Sequence, residues 1–212
     1  MSLEGCIHLS NARLSFPHLA TPQEKESENG KRLSYSAEFI LTPNDPMFAK
    51  FYALYCTLAK EKWKDNTAAA MNQIQGDRKK RCFGWGQEKV KSSDFSIYDG
   101  YEGNVFITAG NKNMPQMINA DGSPVDPLNP LACQSVARLM YGGCYVNAKV
   151  QFWVQDNTNG KALRCTLEVV QFVKDGEKFA GAPPASTAGM EAEPEDEAPL
   201  GEVLQGRGLL SD

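Results

Sequence analysis

Two groups of residues have the types and spacing to do chemistry. The first is the run GDRKKRCFGWGQEKVK, in which Arg78, Lys79, Lys80, Arg81, Lys89 and Lys91 surround Phe83 and Trp85. From Lys60 to Lys91 there are nine bases and four acids, a local net of +5. Glycines beside the rings let backbone and ring approach a ligand closely. Cations for phosphates and π-faces for bases are what an unpaired nucleic-acid strand requires. The second group lies on a stretch after Gly143. Val146, Ala148, Val150, Phe152 and Val154 are uniformly apolar, and Tyr145, Asn147, Lys149, Gln151, Trp153 and Gln155 alternate with them. An outward face with two large rings, a lysine and amides suits bases stacked on Tyr145 and Trp153, with Lys149 at a phosphate. Phe106 faces away from Val105 and Ile107 and is expected to extend that platform, with Tyr98, Tyr101 and Lys112 adjoining it.

Catalytic signatures are missing. There is no G-x-x-x-x-G-K-[ST] phosphate cradle, no G-x-S-x-G elbow and no H-E-x-x-H zinc pair. Only His8 and His18 are available for proton transfer, both near the N-terminus. Asp94, Asp99 and Glu102 could hold Mg²⁺ for a metal-dependent nuclease, but their setting, SDFSIYDGYEG, reads as turn chemistry. The reading is therefore a non-enzyme with no catalytic residue, no metal and no cofactor. Cys6, Cys56, Cys82, Cys133, Cys144 and Cys165 form no C-x-x-C pair and read as reduced, mostly buried small hydrophobes.

The elements that must position these residues are mainly strands. Ile7–Phe16 and Leu33–Leu41 are strand-like, with Leu33, Tyr35, Ala37, Phe39 and Leu41 on one face and Arg32, Ser34, Ser36 and Glu38 on the other. ATPQEKESENGK between them reads as a polar loop closed by Asn29-Gly30. Asp45 and Pro46 open an amphipathic helix that carries Phe48, Phe51, Tyr55 and Leu58 and runs to about Ala70. Asn104–Ala109 is a short strand, 119–130 a loop, and 131–141 is ambiguous between helix and strand. The strongest β signal is a hairpin, Gly143–Gln155 and Lys161–Lys174, turning at Asp156–Gly160. About five strands and one helix make the inventory of an OB-fold-type small barrel, and another small barrel would give the same periodicity.

Charge divides the chain. Residues 181–212 hold seven acids and one base, a net of −6, which leaves the first 180 residues with 21 bases against 19 acids, or +2. AGAPPASTAG leads into a stretch without aromatics or sustained period, which cannot offset the entropy of ordering. The expected organisation is a barrel domain over 1–180 and a disordered Pro-rich linker and acidic tail over 181–212. No apolar run spans a bilayer and no signal peptide is visible at the N-terminus, so no membrane partner is expected and the protein is placed in a cytoplasm.

LSFPHLATP, LSYSAEFILTPNDP, YDGYEGNVFITAGNKNMPQ, YGGCYVNAKVQFW and LEVVQFVKDGE occur in that order. Together they resemble the single-stranded DNA-binding proteins of tailed bacteriophages, of the enterobacterial-phage type, over most of residues 5–178. The resemblance implies an OB-fold, sequence-independent binding of single-stranded DNA, and a role in phage replication and recombination within the infected bacterium. It also implies an acidic C-terminal tail (here Glu191, Glu193, Glu195, Asp196, Glu197 and Asp212) that recruits replication proteins and competes with DNA for the basic groove. Several such proteins end in an aromatic residue, whereas this chain ends Gly208-Leu209-Leu210-Ser211-Asp212, leaving Leu209 and Leu210 as the apolar anchor. The alternatives are a metal-dependent phage nuclease and a structural or scaffolding phage protein.

Overall fold

The computed structural model describes residues 5–27 and 30–180. Strict alternation over 145–174 makes its longest ribbon: β6 (Tyr145–Asn157) and β7 (Gly160–Lys174) pair antiparallel from Tyr145↔Lys174 to Asn157↔Gly160. The ribbon turns at Gly160, whose φ of 88° costs a glycine nothing. β1 (Cys6–Ser27) uses both of its edges, pairing with β6 over Cys6–Arg13 and with β2 (Gly30–Leu41) over Arg13–Ser27. Register shifts after Leu9, Ser15 and His18 bend it from one neighbour to the other, as bulges do at barrel corners. β4 (Val105–Asn111) continues beyond β2, and the short β3 (Phe83–Trp85) and β5 (Gln116–Ile118) complete the order β3-β4-β2-β1-β6-β7-β5. Asn111 Nδ2 donates to the Leu167 carbonyl at 2.9 Å and ties β4 to β7, so the sheet curls into an OB-type barrel.

The interior collects the apolar phase of each strand, including Leu9, Leu14, Phe39, Ile107, Val146, Val150 and Leu167. α1 (Pro46–Trp63) covers one end, with Asp45 Oδ1 accepting from the Met47 N–H at 2.7 Å as the N-cap. It inserts Phe51 between Phe152 (4.5 Å between ring centroids) and Phe83 (5.3 Å). Each such ring contributes about 1.5–3 kcal/mol through burial.

Three expectations change. The helix does not run unbroken to Ala70: Lys64 takes φ 47°, a 3-10 turn follows, and α2 (Thr67–Gln75) restarts. Trp63 is buried with Nε1 donating to Asp156 Oδ2 at 3.0 Å, which pins the end of α1 to the β6–β7 turn, and the bend returns Ala70 and Ile74 to the core. The presumed polar loop is mostly a two-stranded arm, paired from Gln23↔Ser34 to Ser27↔Gly30. Its polar composition reflects a ribbon solvated on both faces rather than a lack of pairing. The ambiguous segment is α3 (Pro130–Leu139), capped by Asn129 Oδ1 accepting from the Ala132 N–H at 3.1 Å.

Cys82, Cys133, Cys144 and Cys165 are buried and Cys6 and Cys56 half-buried, all as free thiols. Burial pushes the Cys144 thiol up to about 11. Among the described residues no helix is long and apolar enough to cross a membrane. Asn29 and the tail carboxylates Glu191, Glu193, Glu195, Asp196, Glu197 and Asp212 lie outside the described residues, as does the whole expected tail.

Candidate nucleic-acid interface

Along β6 the expected alternation holds. Val146, Ala148, Val150 and Phe152 are buried, Tyr145, Asn147, Lys149 and Gln151 are half-buried, and Trp153 is 44% exposed. Trp153 Nε1 donates to Thr166 Oγ1 at 3.1 Å on the neighbouring strand, which fixes the indole against the sheet and leaves a face to solvent. Its cross-strand partner is Arg164, which donates to Gln155 Oε1 at 3.0 Å and to the Lys79 carbonyl at 2.7 Å. The aromatic end of β6 is thereby joined to the start of the basic run. At the other end Tyr145 is bracketed by cations, with Lys174 Nζ 4.8 Å and Arg13 Cζ 6.0 Å from its ring centroid. Phe179 then covers Arg13 at 4.5 Å, so the segment that leads out toward the C-terminus crosses this corner.

The basic run folds differently from its sequence reading. Arg78, Arg81 and Lys89 are turned inward onto two carboxylates. Arg81 places one terminal nitrogen 2.9 Å from both oxygens of Glu88, and Arg78 Nε lies 3.7 Å from the same group. Lys89 Nζ is 2.7 Å from Glu38 Oε1. Glu38, only 7% exposed, also accepts from the Tyr101 hydroxyl and from Thr108 Oγ1. Burial lowers the pKa of Arg78, opposed by Glu38, and burial beside Glu38 raises that of the Tyr101 phenol. These residues make a buried polar knot that holds the 86–104 segment over β2 and β4. Here the charge-assisted bonds tie cations of the basic run to Glu38 and to the exposed Glu88 and so help hold the segment in place.

The knot corrects several sequence expectations. Phe106 does point outward, but Tyr101 covers it at 5.3 Å and Arg78 Cζ at 4.6 Å, so Phe106 and Tyr101 are both fully buried. Phe83 points inward against Phe51 and Tyr55. None of these three rings offers a face to a base, and Arg78, Arg81 and Lys89 are neutralised rather than free for phosphates. Trp85 is 48% exposed, resting edge-on against Phe48 at 6.2 Å. Tyr98 is half-buried. Lys80 and Lys91 sit 3.9 Å from Asp77 and Asp99, loose pairs that a phosphate can displace. Lys79 and Lys112 are exposed and Lys149 half-buried, and among the described residues no carboxylate pairs with them.

Sequence reasoning missed Arg13 and Lys174, whose placement beside Tyr145 depends on cross-strand pairing, and the burial of Glu38, which the alternation puts on the polar face of its strand. Ser34, Ser36 and Glu38 are all buried, with Lys89 and Tyr101 of the 86–104 segment on Glu38 and Lys25 Nζ donating to Ser36 Oγ. It also missed the exposed rings Phe16 and Phe95. The three acids weighed as metal ligands have other partners or none. Asp94 Oδ1 accepts from the Ser96 N–H and Oγ, which holds its carboxyl below the usual range. Asp99 Oδ2 accepts from the Ala180 N–H at 2.8 Å, and Glu102 is exposed. Among the described residues no three His, Cys, Asp or Glu side chains are grouped to hold a metal ion.

Residues 6–199 match the model of the family described as Enterobacter phage Enc34, ssDNA-binding protein. The chain belongs to that family. A relative, the putative protein p50 of Acyrthosiphon pisum secondary endosymbiont phage 1, is 31% identical over 182 residues, covering 85% of this chain and 89% of its own. The fold is shared with the single-stranded DNA-binding protein of bacteriophage Enc34 solved in complex with ssDNA. That match has 24% identity and a TM-score of 0.61, covering 83% of this chain and 90% of that one. The single-stranded DNA-binding protein gp2.5 of bacteriophage T7 matches at 12% identity with a TM-score of 0.50, covering 91% of this chain and 99% of that one. In this member of the Enc34 family, Tyr145, Lys149 and Trp153 lie along the outward face of β6, and Arg164 links that face to Lys79.

Proposed function

We propose that this protein binds single-stranded DNA without sequence preference, with the strand lying along the outward face of β6. One observation carries the reading: Trp153 is tied to Thr166 on the neighbouring strand, remains partly open to solvent, and shares its face with Lys149, which no carboxylate pairs with among the described residues. Stacking accepts any base because every base has a π-face, so a site built from rings and lysines is sequence-tolerant. The membership in a phage family named for this activity supports the same reading.

The protein acts in phage DNA replication and recombination in the cytoplasm of the infected bacterium, and is a binding protein rather than an enzyme. Residues 181–212, at −6, act as a separate acidic tail that competes with DNA and docks replication or recombination proteins. Support comes from the exit point: the Phe179 N–H donates to the Gly142 carbonyl and the Ala180 N–H to Asp99, beside Lys91 and the Tyr145 corner.

The test is a titration of labelled oligo-dT at low and moderate salt, with a duplex of equal length alongside. Tight, salt-sensitive binding to the single strand alone is expected, with log K falling by about 0.7 per phosphate contact per decade of salt. Equal affinity for duplex would leave only a charge effect, and no binding at low salt would refute the reading. Removing 181–212 should tighten binding, and unchanged affinity after truncation would refute the tail's role.

A further inference from the structure

Ten phenylalanines are present, and Phe16 and Phe95 are the two held in solvent, at 40% and 79% exposure. They are also two of only four non-glycine residues with positive φ among the described residues, at 45° and 58°. The other two have local reasons. Asn11 is a residue type that tolerates the left-handed region, and its N–H donates to Asn147 Oδ1 at 2.9 Å. Lys64 terminates α1, with its N–H on the Lys60 carbonyl. A bulky ring in this region is a steric outlier, and such strain persists only where the surroundings impose it.

The surroundings do impose it. Around Phe95 the Lys91 N–H donates to the Ser96 carbonyl at 2.8 Å, the Phe95 N–H to the Lys91 carbonyl at 3.0 Å, and Asp94 holds Ser96, while Val90 bridges Ile97 below. The loop is clamped on both sides of the ring. Phe16 sits in the β1 bulge between the pairs Ser15↔Glu38 and His18↔Ser36, and Pro17 follows it, which restricts its backbone further. Bulges re-aim side chains. This one sets the Phe16 ring edge-on to Tyr98 at 5.1 Å, with Lys89 Nζ 5.0 Å from its centroid. Tyr98 in turn carries Lys91 Nζ at 5.9 Å and is three residues from Phe95. Two strained, exposed rings therefore stand at the edge of the segment that the Glu38 knot fixes in place, Phe16 on β1 beside Lys89 and Phe95 on the segment itself. Lys89 is held by Glu38, but Lys91 is only loosely paired with Asp99, so it is the cation here that a phosphate can take while bases meet the exposed rings.

We propose that Phe16 and Phe95 are base-stacking residues of the single-stranded DNA path, presented to the bases by left-handed backbone. This rests on the proposed function and adds the β1 bulge and the 91–96 loop to the strand's track. Phe16 rests with one edge on Tyr98 and keeps the rest of its ring in solvent, and Phe95 is the most exposed ring of all.

The experiment uses the full chain with Phe95→Gly, Phe16→Leu and Phe95→Trp, titrated with oligo-dT and with an abasic oligonucleotide of equal length. Glycine relieves the strained φ, so the unfolding midpoint of Phe95→Gly should equal or exceed that of wild type. Its oligo-dT affinity should fall roughly 5- to 150-fold, the range for one lost stacking contact, with an unchanged salt slope because no cation is lost. Phe16→Leu should weaken oligo-dT in the same way, and Phe95→Trp should keep or tighten binding. On the abasic strand all four proteins should bind alike. Wild-type binding with unchanged affinity in Phe95→Gly and Phe16→Leu would overturn this proposal and leave the proposed function intact. Equal weakening on abasic and dT strands would also overturn it, showing that the rings act through fold or charge. A wild type that fails to bind oligo-dT would overturn the functional reading itself.

Discussion

Replacing Glu38 tests whether the buried polar knot positions the interface. The carboxylate has three donors: Lys89 Nζ at 2.7 Å, the Tyr101 hydroxyl and Thr108 Oγ1 at 3.2 Å. Lys89 is partly exposed, so on Glu38→Ala its ammonium turns to water and its share of the loss is small. The Tyr101 hydroxyl cannot turn to water, because its side chain is fully buried, and Ser15 is the polar neighbour left to it. Losing the charge-assisted bonds in this buried setting costs about 3 kcal/mol. For a domain of this size each kcal/mol corresponds to roughly 2–4 °C, so the unfolding midpoint should drop by about 6–12 °C. Glu38→Gln keeps an acceptor for Tyr101 and removes only the charge, so about half that loss is expected. Under conditions where both variants are folded, low-salt oligo-dT affinity should rise, since Arg78 and Lys89 lose a neutralising partner. Circular dichroism melts and urea titrations measure the first effect, and anisotropy the second. An unfolding midpoint for Glu38→Ala within about 2 °C of wild type would refute the reasoning.

Other perturbations separate stacking, charge and titration. Trp153→Ala should weaken oligo-dT binding by about 1–3 kcal/mol at every salt concentration, with no change in salt slope, as read from anisotropy titrations. Lys112→Gln and Lys149→Gln should instead each reduce the slope of log K against log salt by about 0.7, with little change in unfolding midpoint. The His18 pKa is lowered by burial and by Lys25, so the native state favours neutral imidazole. The unfolded chain then binds more protons below its own pKa of about 6.5, and native stability should fall as pH drops through that value toward the lower folded pKa. Comparing melts at about pH 7.5 and pH 5.5 for wild type and His18→Gln isolates this contribution, which the variant should lack.

The legible parts of the fold were those that depend on local pattern. Alternation over 145–174 identified the β6–β7 ribbon and placed Tyr145, Lys149 and Trp153 outward, because a period of two is a property of the strand alone. Asp45-Pro46 likewise marked the start of α1 through capping chemistry. What stayed hidden depends on partners remote in sequence. Glu38, Lys89, Tyr101 and Thr108 meet only once β2, β4 and the 86–104 segment are assembled. The net charge counted over 60–91 also overstates usable charge, because Glu38, outside that stretch, neutralises Lys89 at 2.7 Å. Phe106 shows the same limit from another side: its outward direction followed from alternation, but its cover came from Tyr101 and Arg78. Phe16 and Phe95 were missed because backbone strain leaves no mark in composition or period.

The most direct measurement is tryptophan fluorescence during titration with oligo-dT, in wild type, Trp153→Phe and Trp85→Phe. Trp63 is buried, so Trp85 and Trp153 are the indoles that a ligand can quench. If the strand lies along β6, single-stranded DNA quenches the wild type, Trp153→Phe loses a large share of that signal, and duplex of equal length has little effect. Quenching that survives Trp153→Phe undiminished, or that duplex reproduces, would contradict a single-stranded DNA site on this face.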